Sequence, residues 1–270
     1  MIKNNTLHYS SETEITKFQE ERLKETLEYL SENSPFYKRM FKEHNIDITQ
    51  IKHLSDLHKI PVTTKEDLQK HNNEFICIDK ENIIDYVTTS GTLGDPVTFA
   101  LSNKDLDRLA YNEASSFTMA GCQKGDIIQL MTTIDRRFMA GLAYFLGARE
   151  LGCGIIRVGN GIPELQWDTI QRVSPNVCIV VPSFLMKLIK YAEENGIDYN
   201  KSSLRKAICI GEALRTPTGE YTTLGKKISE KWPNLELFST YASTEMQSLY
   251  TECKEHCGCH IPIDLSLIHI

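Results

Sequence analysis

Three short segments and a cysteine cluster hold the side chains of this 270-residue chain that could do chemistry. The first segment, YVTTSGTLGDP at residues 86–96, combines glycines with serine and threonine hydroxyls after a β-branched run. Glycines let the backbone approach an anion closely, and hydroxyls with free N–H groups donate hydrogen bonds to it. The pattern therefore predicts a phosphate-binding loop, with an ordinary hairpin turn as the alternative. It is not a Walker loop, because no Gly-Lys-Ser/Thr triplet closes it.

The second segment is TYASTEM at residues 240–246, and a shorter one, GEAL at residues 211–214, precedes it. Taken singly, their residues have ordinary interpretations. Glu245 would be a solvated loop carboxylate, Tyr241 a half-buried packing residue, and Glu212 a charge at a helix start. Their occurrence together with the Gly-rich loop, each after an apolar run, favours a shared site.

The cysteine cluster lies near the end of the chain. Cys253, Cys257, Cys259 and His260 form the pattern Cys-x3-Cys-x-Cys-His. Four thiolate and imidazole donors match a tetrahedral zinc site, although the adjacent Cys259 and His260 would both ligate only with a kinked backbone. The alternative is a set of exposed, reduced thiols. Three of the remaining five cysteines lie in or beside apolar runs, where reduced core thiols are typical.

The composition excludes several classes of function. A net charge of -6 argues against a nucleic-acid-binding protein, which would present a basic face. No run approaches the roughly 18 to 20 apolar residues of a membrane span, and no apolar signal segment opens the chain. We therefore expect a cytoplasmic protein that binds neither nucleic acid nor membranes.

The elements that would position these residues follow from apolar spacing. Residues 14–30 have helical spacing, and Thr64 with Asp67 forms a capping box that predicts another helix. Strand-like runs then alternate with helical blocks from Asp105 onward, which predicts an α/β fold with mainly parallel sheets flanked by helices. The strand-like runs are IIDYVTT, VTFALS, DIIQLM, GIIRV, VCIVV, KAICI and LELFS. We expect a helical N-terminal segment over residues 1–75 and an α/β domain over 76–264.

Ligands of such folds bind beyond the carboxyl ends of the strands. Four unusual loops follow predicted strands: TTSGTLGDP, TTIDRRFMAG, GEALRTP and TYASTEM. The pattern predicts that these loops share one sheet edge and form one site.

The order of the loops resembles that of the adenylate-forming enzymes, and more closely that of the phenylacetate-CoA ligase family. The upstream SPFYKRMF and LSDLHKIPVTTKEDL and the downstream ECKEHCGCHIPID support the resemblance, which covers nearly all of residues 15–264. It implies the large N-terminal domain of these enzymes. It also implies that ATP activates a carboxylic acid to an acyl adenylate, and that the acyl group then passes to coenzyme A. The expected partners are thus a small carboxylic acid, ATP and coenzyme A, with Mg²⁺ as cofactor.

The resemblance also implies roles for single residues. Thr244 would contact the α-phosphate, Glu245 would ligate Mg²⁺, and Tyr241 would stack on the adenine, roles that suit a hydroxyl, a hard oxygen ligand and a flat ring. Gly211, Glu212 and Ala213 would line the adenine. The pyrophosphate would be held by Thr88, Thr89, Ser90, Gly91, Thr92 and Gly94.

The acyl pocket is expected in the segment TTIDRRFMAGLAYFLGARELG. Its mixed large and small apolar residues suit an aromatic, phenylacetate-like acid. They are Phe138, Met139, Gly141, Ala143 and Tyr144. The alternative is that the small residues mark close packing of a helix against a sheet.

Two departures from the family pattern occur in the phosphate loop. Leu93 replaces a threonine and Asp95 replaces a lysine. Because a carboxylate beside pyrophosphate is unfavourable, we expect Asp95 to point outward. Some relatives also have zinc near a Cys…Gly-x-His segment, matched here by Cys253, Gly258 and His260.

The last six residues, LSLIHI, match the translation of a transposon-derived adapter, so residues 265–270 are expected to be a non-native tail. We expect the chain to be a C-terminally truncated fragment that turns over slowly or not at all alone. Two alternatives stay open: an enzyme that passes its acyl group to a protein or another coenzyme, and a non-catalytic, zinc-containing scaffold with the same fold.

Overall fold

The computed structural model describes residues 7, 10–89, 91 and 94–265. Ser90, Thr92 and the tail residues 266–270, on which sequence predictions fall, lie outside the described residues. The chain divides into two compact units. The first unit consists of two segments, the chain up to Asp105 and the chain from Pro262 onward. The second unit is Leu106–Ile261.

The first unit is mainly helical. Its helices are α1 (Glu12–Asn33), α2 (Pro35–Glu43) and α3 (Lys65–Lys70), with 3-10 helices at Ile48–Gln50, Leu54–Lys59, Asn72–Phe75 and Lys80–Asn82. Both the N-terminal helix and the Thr64–Asp67 capping box are confirmed. Ser34 separates α1 from α2, since its side chain accepts the N–H of Tyr37 and Pro35 opens the second helix. The core of the unit includes Phe36, which stacks on Phe75 with 4.1 Å between ring centroids.

Two strands complete this unit. Strands β1 (Asp85–Thr88) and β2 (Thr98–Leu101) pair antiparallel in a sheet of their own. The prediction that four loops share one sheet edge is therefore wrong for the phosphate loop, which joins the two strands of this hairpin. Local sequence predicted both strands, but their pairing with each other is not visible in local spacing.

The second unit is built on a seven-stranded sheet of order β4-β3-β5-β6-β7-β8-β9. Strands β3 to β7 run parallel, and β8 and β9 are antiparallel. The strands are β3 (Ile127–Leu130), β4 (Gly154–Arg157), β5 (Val177–Val180), β6 (Lys206–Cys209), β7 (Glu236–Ser243), β8 (Ser248–Glu252) and β9 (Cys259–His260). The helices are α4 (Asn103–Met119), α5 (Met139–Leu151), α6 (Pro163–Val173), α7 (Pro182–Glu194) and α8 (Thr223–Lys231). This architecture confirms the predicted α/β class.

Helices cover both faces of the parallel part of this sheet. In β5, Cys178 and Val180 pack in one apolar cluster with Trp167, whereas Val177 and Ile179 pack in another. Both faces of β5 are thus shielded from water. Burial on both faces explains why the parallel strands are almost continuously apolar.

Eight cysteines are free, and Cys122, Cys178 and Cys209 are buried. Burial raises the pKa of Cys122 and of Cys178 to about 12, so both stay protonated thiols at neutral pH. This confirms the predicted core thiols. Within the described part of the chain, every helix is too short or too polar to traverse a bilayer.

Candidate active site

The phosphate loop begins where β1 ends. Thr89 is buried, its N–H donates to Val97 O at 3.0 Å, and its hydroxyl accepts the Val97 N–H at 3.0 Å. The two residues therefore close the base of the loop, and the Thr89 oxygen already serves the backbone. This is a structural role that the sequence did not predict.

Two glycines give the loop its path. Gly91 and Gly94 have φ angles of +68° and +121°. A Cβ at Gly91 would lie 2.9 Å from Pro96 Cγ, so glycine is required there for space as well as for conformation.

Side chains of the same unit brace the loop from outside. Gln69 of α3 donates to Asp95 O at 2.6 Å, and Asn72 exchanges hydrogen bonds with the backbone of Thr98, donating to its O at 2.8 Å and accepting its N–H at 3.0 Å. The side chain of Asp95 is exposed, as its charge led us to expect. Gln69 and Asn72 were missed, since nothing local marks two amides as partners of a loop 26 residues away.

We expect Thr89→Val to lower the free energy of unfolding by about 1 to 3 kcal/mol, because the buried Val97 N–H loses its acceptor. Urea unfolding of the chain would measure this. Thr98→Val is the matched control, since no bond from the Thr98 hydroxyl is found within the described residues. A loss equal to that of the control would refute the structural role of Thr89.

The second unit contains a cavity of about 190 Å³. Its wall includes α4, the N-terminal half of α5, the segment directly after β6, and β7 with the turn to β8 and the start of β8. Six predicted site residues meet in this wall: Phe138, Met139, Ala143, Tyr144, Gly211 and Thr244. Residues predicted for an acyl group, an adenine and an α-phosphate thus share one cavity. The wall does not include Gly141, Glu212, Ala213, Tyr241 or Glu245.

Gly141 is placed by packing. A Cβ there would lie 2.1 Å from Thr133 O and 2.6 Å from Ile134 Cα, so α5 approaches the loop after β3 more closely than any side chain allows. The alternative of close packing therefore describes this residue, while its larger neighbours Phe138 and Met139 line the cavity.

We expect Gly141→Ala to destabilise the fold by roughly 1 to 3 kcal/mol through this overlap. Gly154→Ala is a suitable control, because Gly154 lacks a positive φ. The atom nearest to the new Cβ would be Ile127 Cγ1, at an ordinary contact distance of 3.6 Å. The control should cost no more than about 0.5 kcal/mol. Equal midpoints of thermal unfolding for the two variants would contradict the packing role.

The segment after β6 combines an open glycine with a capping carboxylate. Gly211 has φ +75°, and a Cβ there would meet nothing within 4 Å, so the cavity is open beside it. Glu212 accepts a hydrogen bond from the Ser183 N–H at 2.7 Å. Its negative charge thus offsets the partial positive charge at the N-terminus of α7. Its carboxylate therefore has a structural partner at the start of α7. Ala213 is exposed.

Tyr241 lies inside β7, whereas the sequence predicted a loop there. It pairs with Tyr250 of β8, and the two rings stack with centroids 6.1 Å apart and 29° between their planes. Tyr250 is buried, but Tyr241 is 59% exposed. A rigid strand thus presents an aromatic face to solvent, which suits stacking on a planar base.

Thr244 and Glu245 lie in the turn between β7 and β8. The turn is tight: Ser243 Oγ accepts the Met246 N–H at 3.1 Å, and Gln247 has φ +49°. Arg108 of α4 makes two hydrogen bonds to the turn. It donates to Gln247 O at 2.8 Å and also to Gln247 Oε1. Thr244 is half-buried at the cavity, and Glu245 is exposed. Arg108, absent from the sequence prediction, holds the end of this turn at Gln247.

The cysteine cluster does not assemble a metal site in the described residues, where no group of three or more His, Cys, Asp or Glu side chains could hold a metal ion. Buried Glu252 lies beside this segment. It accepts the Ser239 N–H at 2.9 Å and pairs with Arg215 Nε at 3.0 Å and His256 Nδ1 at 3.1 Å. The zinc ligands Cys253, Cys257, Cys259 and His260 stay a prediction of the sequence.

The family described as AMP-binding enzyme matches residues 16–264. The chain is similar to phenylacetate-coenzyme A ligases from Aromatoleum evansii (31% identity, 74% of this chain and 45% of that protein) and Escherichia coli K12 (32%, 77% and 48%). It is also similar to that from Thermus thermophilus (31%, 92% and 55%). The resemblance seen in the sequence is confirmed, and the chain spans about half the length of these curated relatives.

A solved structure shares the fold. It is a 2-hydroxyisobutyryl-CoA ligase in complex with 2-HIB-AMP and CoA in the thioesterification state, with a TM-score of 0.82 and 22% identity. The match covers 92% of this chain and 53% of that one. The same ligase in its postadenylation state matches with a TM-score of 0.80. At this identity, the likeness shows the fold alone.

Proposed function

Because this chain belongs to the family of AMP-binding enzymes, we propose that its protein uses ATP to convert an aromatic carboxylic acid to an acyl adenylate and then to a coenzyme A thioester. The cavity of the second unit carries this proposal, because it joins Phe138, Met139 and Tyr144 to Gly211 and Thr244. Relatives named phenylacetate-coenzyme A ligases support an arylacetic acid.

The size and lining of the cavity suit one aromatic ring. Its volume is about 190 Å³, and an apolar protein cavity of roughly 150 Å³ holds benzene. Phe138, Met139 and Tyr144 supply apolar surface, and Ala143 leaves room between them. We place the acyl group of the acid here.

The carboxylate of the acid would be favoured at one end of the cavity. Helix α5 begins there at Met139, and no side-chain hydrogen bond caps its N-terminus. The positive end of the helix dipole favours an anion. Thr244 in the same wall has a hydroxyl that would donate to a phosphoryl oxygen of the adenylate.

The adenine is assigned to the backbone at Gly211–Ala213 and to the exposed face of Tyr241. Gly211 has open space beside it, and Tyr241 is held flat by its stacking on Tyr250. We assign the pyrophosphate to the loop from Thr88 to Gly94, whose glycines and hydroxyls suit an anion.

Magnesium fits the residues present. Mg²⁺ in nucleotide sites is held by one or two carboxylates together with substrate phosphates, so the single exposed carboxylate of Glu245 suffices. Bound there, the ion would offset the charge of the phosphates. The cysteine segment does not fit zinc in the same way, and no step is assigned to that metal. Eight free cysteines agree with action in the reducing cytoplasm.

Acid-dependent exchange of labelled pyrophosphate into ATP tests this function. We expect exchange with arylacetic or benzoic acids, Mg²⁺ and ATP, and release of product only after coenzyme A is added. Release to a protein acceptor would favour the acyltransferase alternative, and no exchange with any acid by the folded whole protein, as distinct from this chain alone, would contradict the proposal.

A further inference from the structure

Three polar side chains lie buried in the wall of the cavity. They are Asn112 and Glu113 of α4 and Ser248 of β8, which are 3%, 4% and 4% exposed. One atom of each is buried and has no hydrogen-bond partner among the described residues: Asn112 Oδ1, Glu113 Oε2 and Ser248 Oγ. Buried polar atoms in native proteins nearly always have a partner, so three orphans in one cavity call for an explanation.

The packing of the fold does not supply that explanation. Glu113 lies one helical turn from Leu109 and from Phe117, both buried, on a face of α4 where an apolar residue is typical. Gly147 of α5 comes so close that a Cβ on it would lie 2.2 Å from Glu113 Cβ. The glycine makes room for this carboxylic acid, which is thereby held against the cavity.

The charge state of Glu113 limits the choice of ligand. Burial raises the pKa of Glu113 well above its usual range, which favours the neutral form of this carboxyl group. A neutral carboxyl group does not repel the carboxylate of a bound acid, and it both donates and accepts hydrogen bonds. The wall thus offers acceptors at Asn112 and Glu113 and a hydroxyl at Ser248, all uncharged.

A hydroxyl group is the ligand group that matches this set. It donates one hydrogen bond and accepts others, whereas an ammonium group would have to be buried without an ionised partner at high cost. A plain hydrocarbon ring would leave all three atoms unpaired. A site with buried polar groups binds such a ligand more weakly than one that pairs with them.

We propose that the acid bound in this cavity is a hydroxylated aromatic acid whose hydroxyl group hydrogen-bonds to Asn112, Glu113 and Ser248. The proposal rests on the proposed function, since it names the substrate class of the same cavity. It makes these three residues the specificity determinants of the protein.

The test compares the binding of phenylacetate with that of its 2-, 3- and 4-hydroxy derivatives to the chain by titration calorimetry, so that no turnover is needed. We expect at least one hydroxy isomer to bind roughly 10-fold or more tightly than phenylacetate. Glu113→Leu should remove this preference and bind phenylacetate no more weakly. Glu113→Gln, which keeps hydrogen-bonding capacity, should retain most of it. Ser248→Ala should also reduce the preference for the hydroxy isomer. This second variant keeps the test valid if Glu113→Leu impairs folding.

The outcomes separate this inference from the proposed function. Equal or tighter binding of phenylacetate, tighter binding of an amino derivative, or a preference that survives Glu113→Leu overturns the inference and leaves the proposed function in place. Binding of ATP without binding of any acid overturns the inference as well. Binding of neither acid nor ATP by the folded chain overturns both.

Discussion

Replacing Glu245 by glutamine in the whole protein is expected to lower the rate of acid-dependent ATP–pyrophosphate exchange by roughly 100- to 1,000-fold, the usual cost of removing one electrostatic contact to a transition state. The reaction brings a carboxylate to an α-phosphate, and both are negative. Glu245 is the carboxylate that the turn between β7 and β8 presents to solvent, and it would hold the Mg²⁺ that offsets this repulsion. Glutamine keeps the shape of the side chain and removes its charge.

The Mg²⁺ dependence separates this role from a change of fold. Glu245→Gln should require a higher Mg²⁺ concentration for half-maximal exchange, whereas a loss of folded protein would lower the rate at every Mg²⁺ concentration. The matched control is Glu230→Gln on α8, an exposed carboxylate that pairs with Lys226 of its own helix. An exchange rate and a Mg²⁺ dependence equal to those of the whole protein without the substitution would show that Glu245 is not a ligand.

Replacing Ala143 by phenylalanine in the whole protein is expected to raise the KM for an arylacetic acid by roughly 100-fold, because the new ring fills the space proposed for the substrate. Ala143 is 1% exposed and lines the cavity of about 190 Å³. The substitution adds a ring next to Phe138 and Tyr144, so the cavity would keep space for a small aliphatic acid only.

The same variant supplies its own control. The ratio of kcat/KM for propionate to that for phenylacetate should rise, while the affinity for ATP stays within about twofold because the nucleotide groups are untouched. Crowding the core costs about 1 to 3 kcal/mol, which the unfolding midpoint would report. An unchanged preference for phenylacetate would place the acyl group elsewhere.

Local sequence predicted much of the fold because dry parallel strands and capped helices have strong local patterns. The apolar runs at 126–131, 177–181 and 206–210 contain β3, β5 and β6, and the Thr64–Asp67 box begins α3. What was missed depends on long-range pairing. The polar segment TYAST predicts a loop at Tyr241, and the strand there depends on pairing with the later strand β8.

The site divides in the same way. Residue types and order pointed to Phe138, Met139, Gly211 and Thr244, which meet in the cavity. The resemblance could not reveal that Glu212 caps α7. Glu113 did leave a signal, an acidic residue on the buried face of α4 between Leu109 and Phe117, but its unpaired state depends on helix α5 and strand β8, far along the chain.

Titration of the chain with a non-hydrolysable arylacetyl adenylate analogue tests the central claim most directly, because it measures the proposed site without requiring turnover. We predict one bound analogue per chain, with an affinity at least roughly 10-fold above that of AMP, since acyl and nucleotide parts bind in one molecule. An affinity no better than that of AMP, or no binding by a chain that shows a cooperative unfolding transition, would contradict the account.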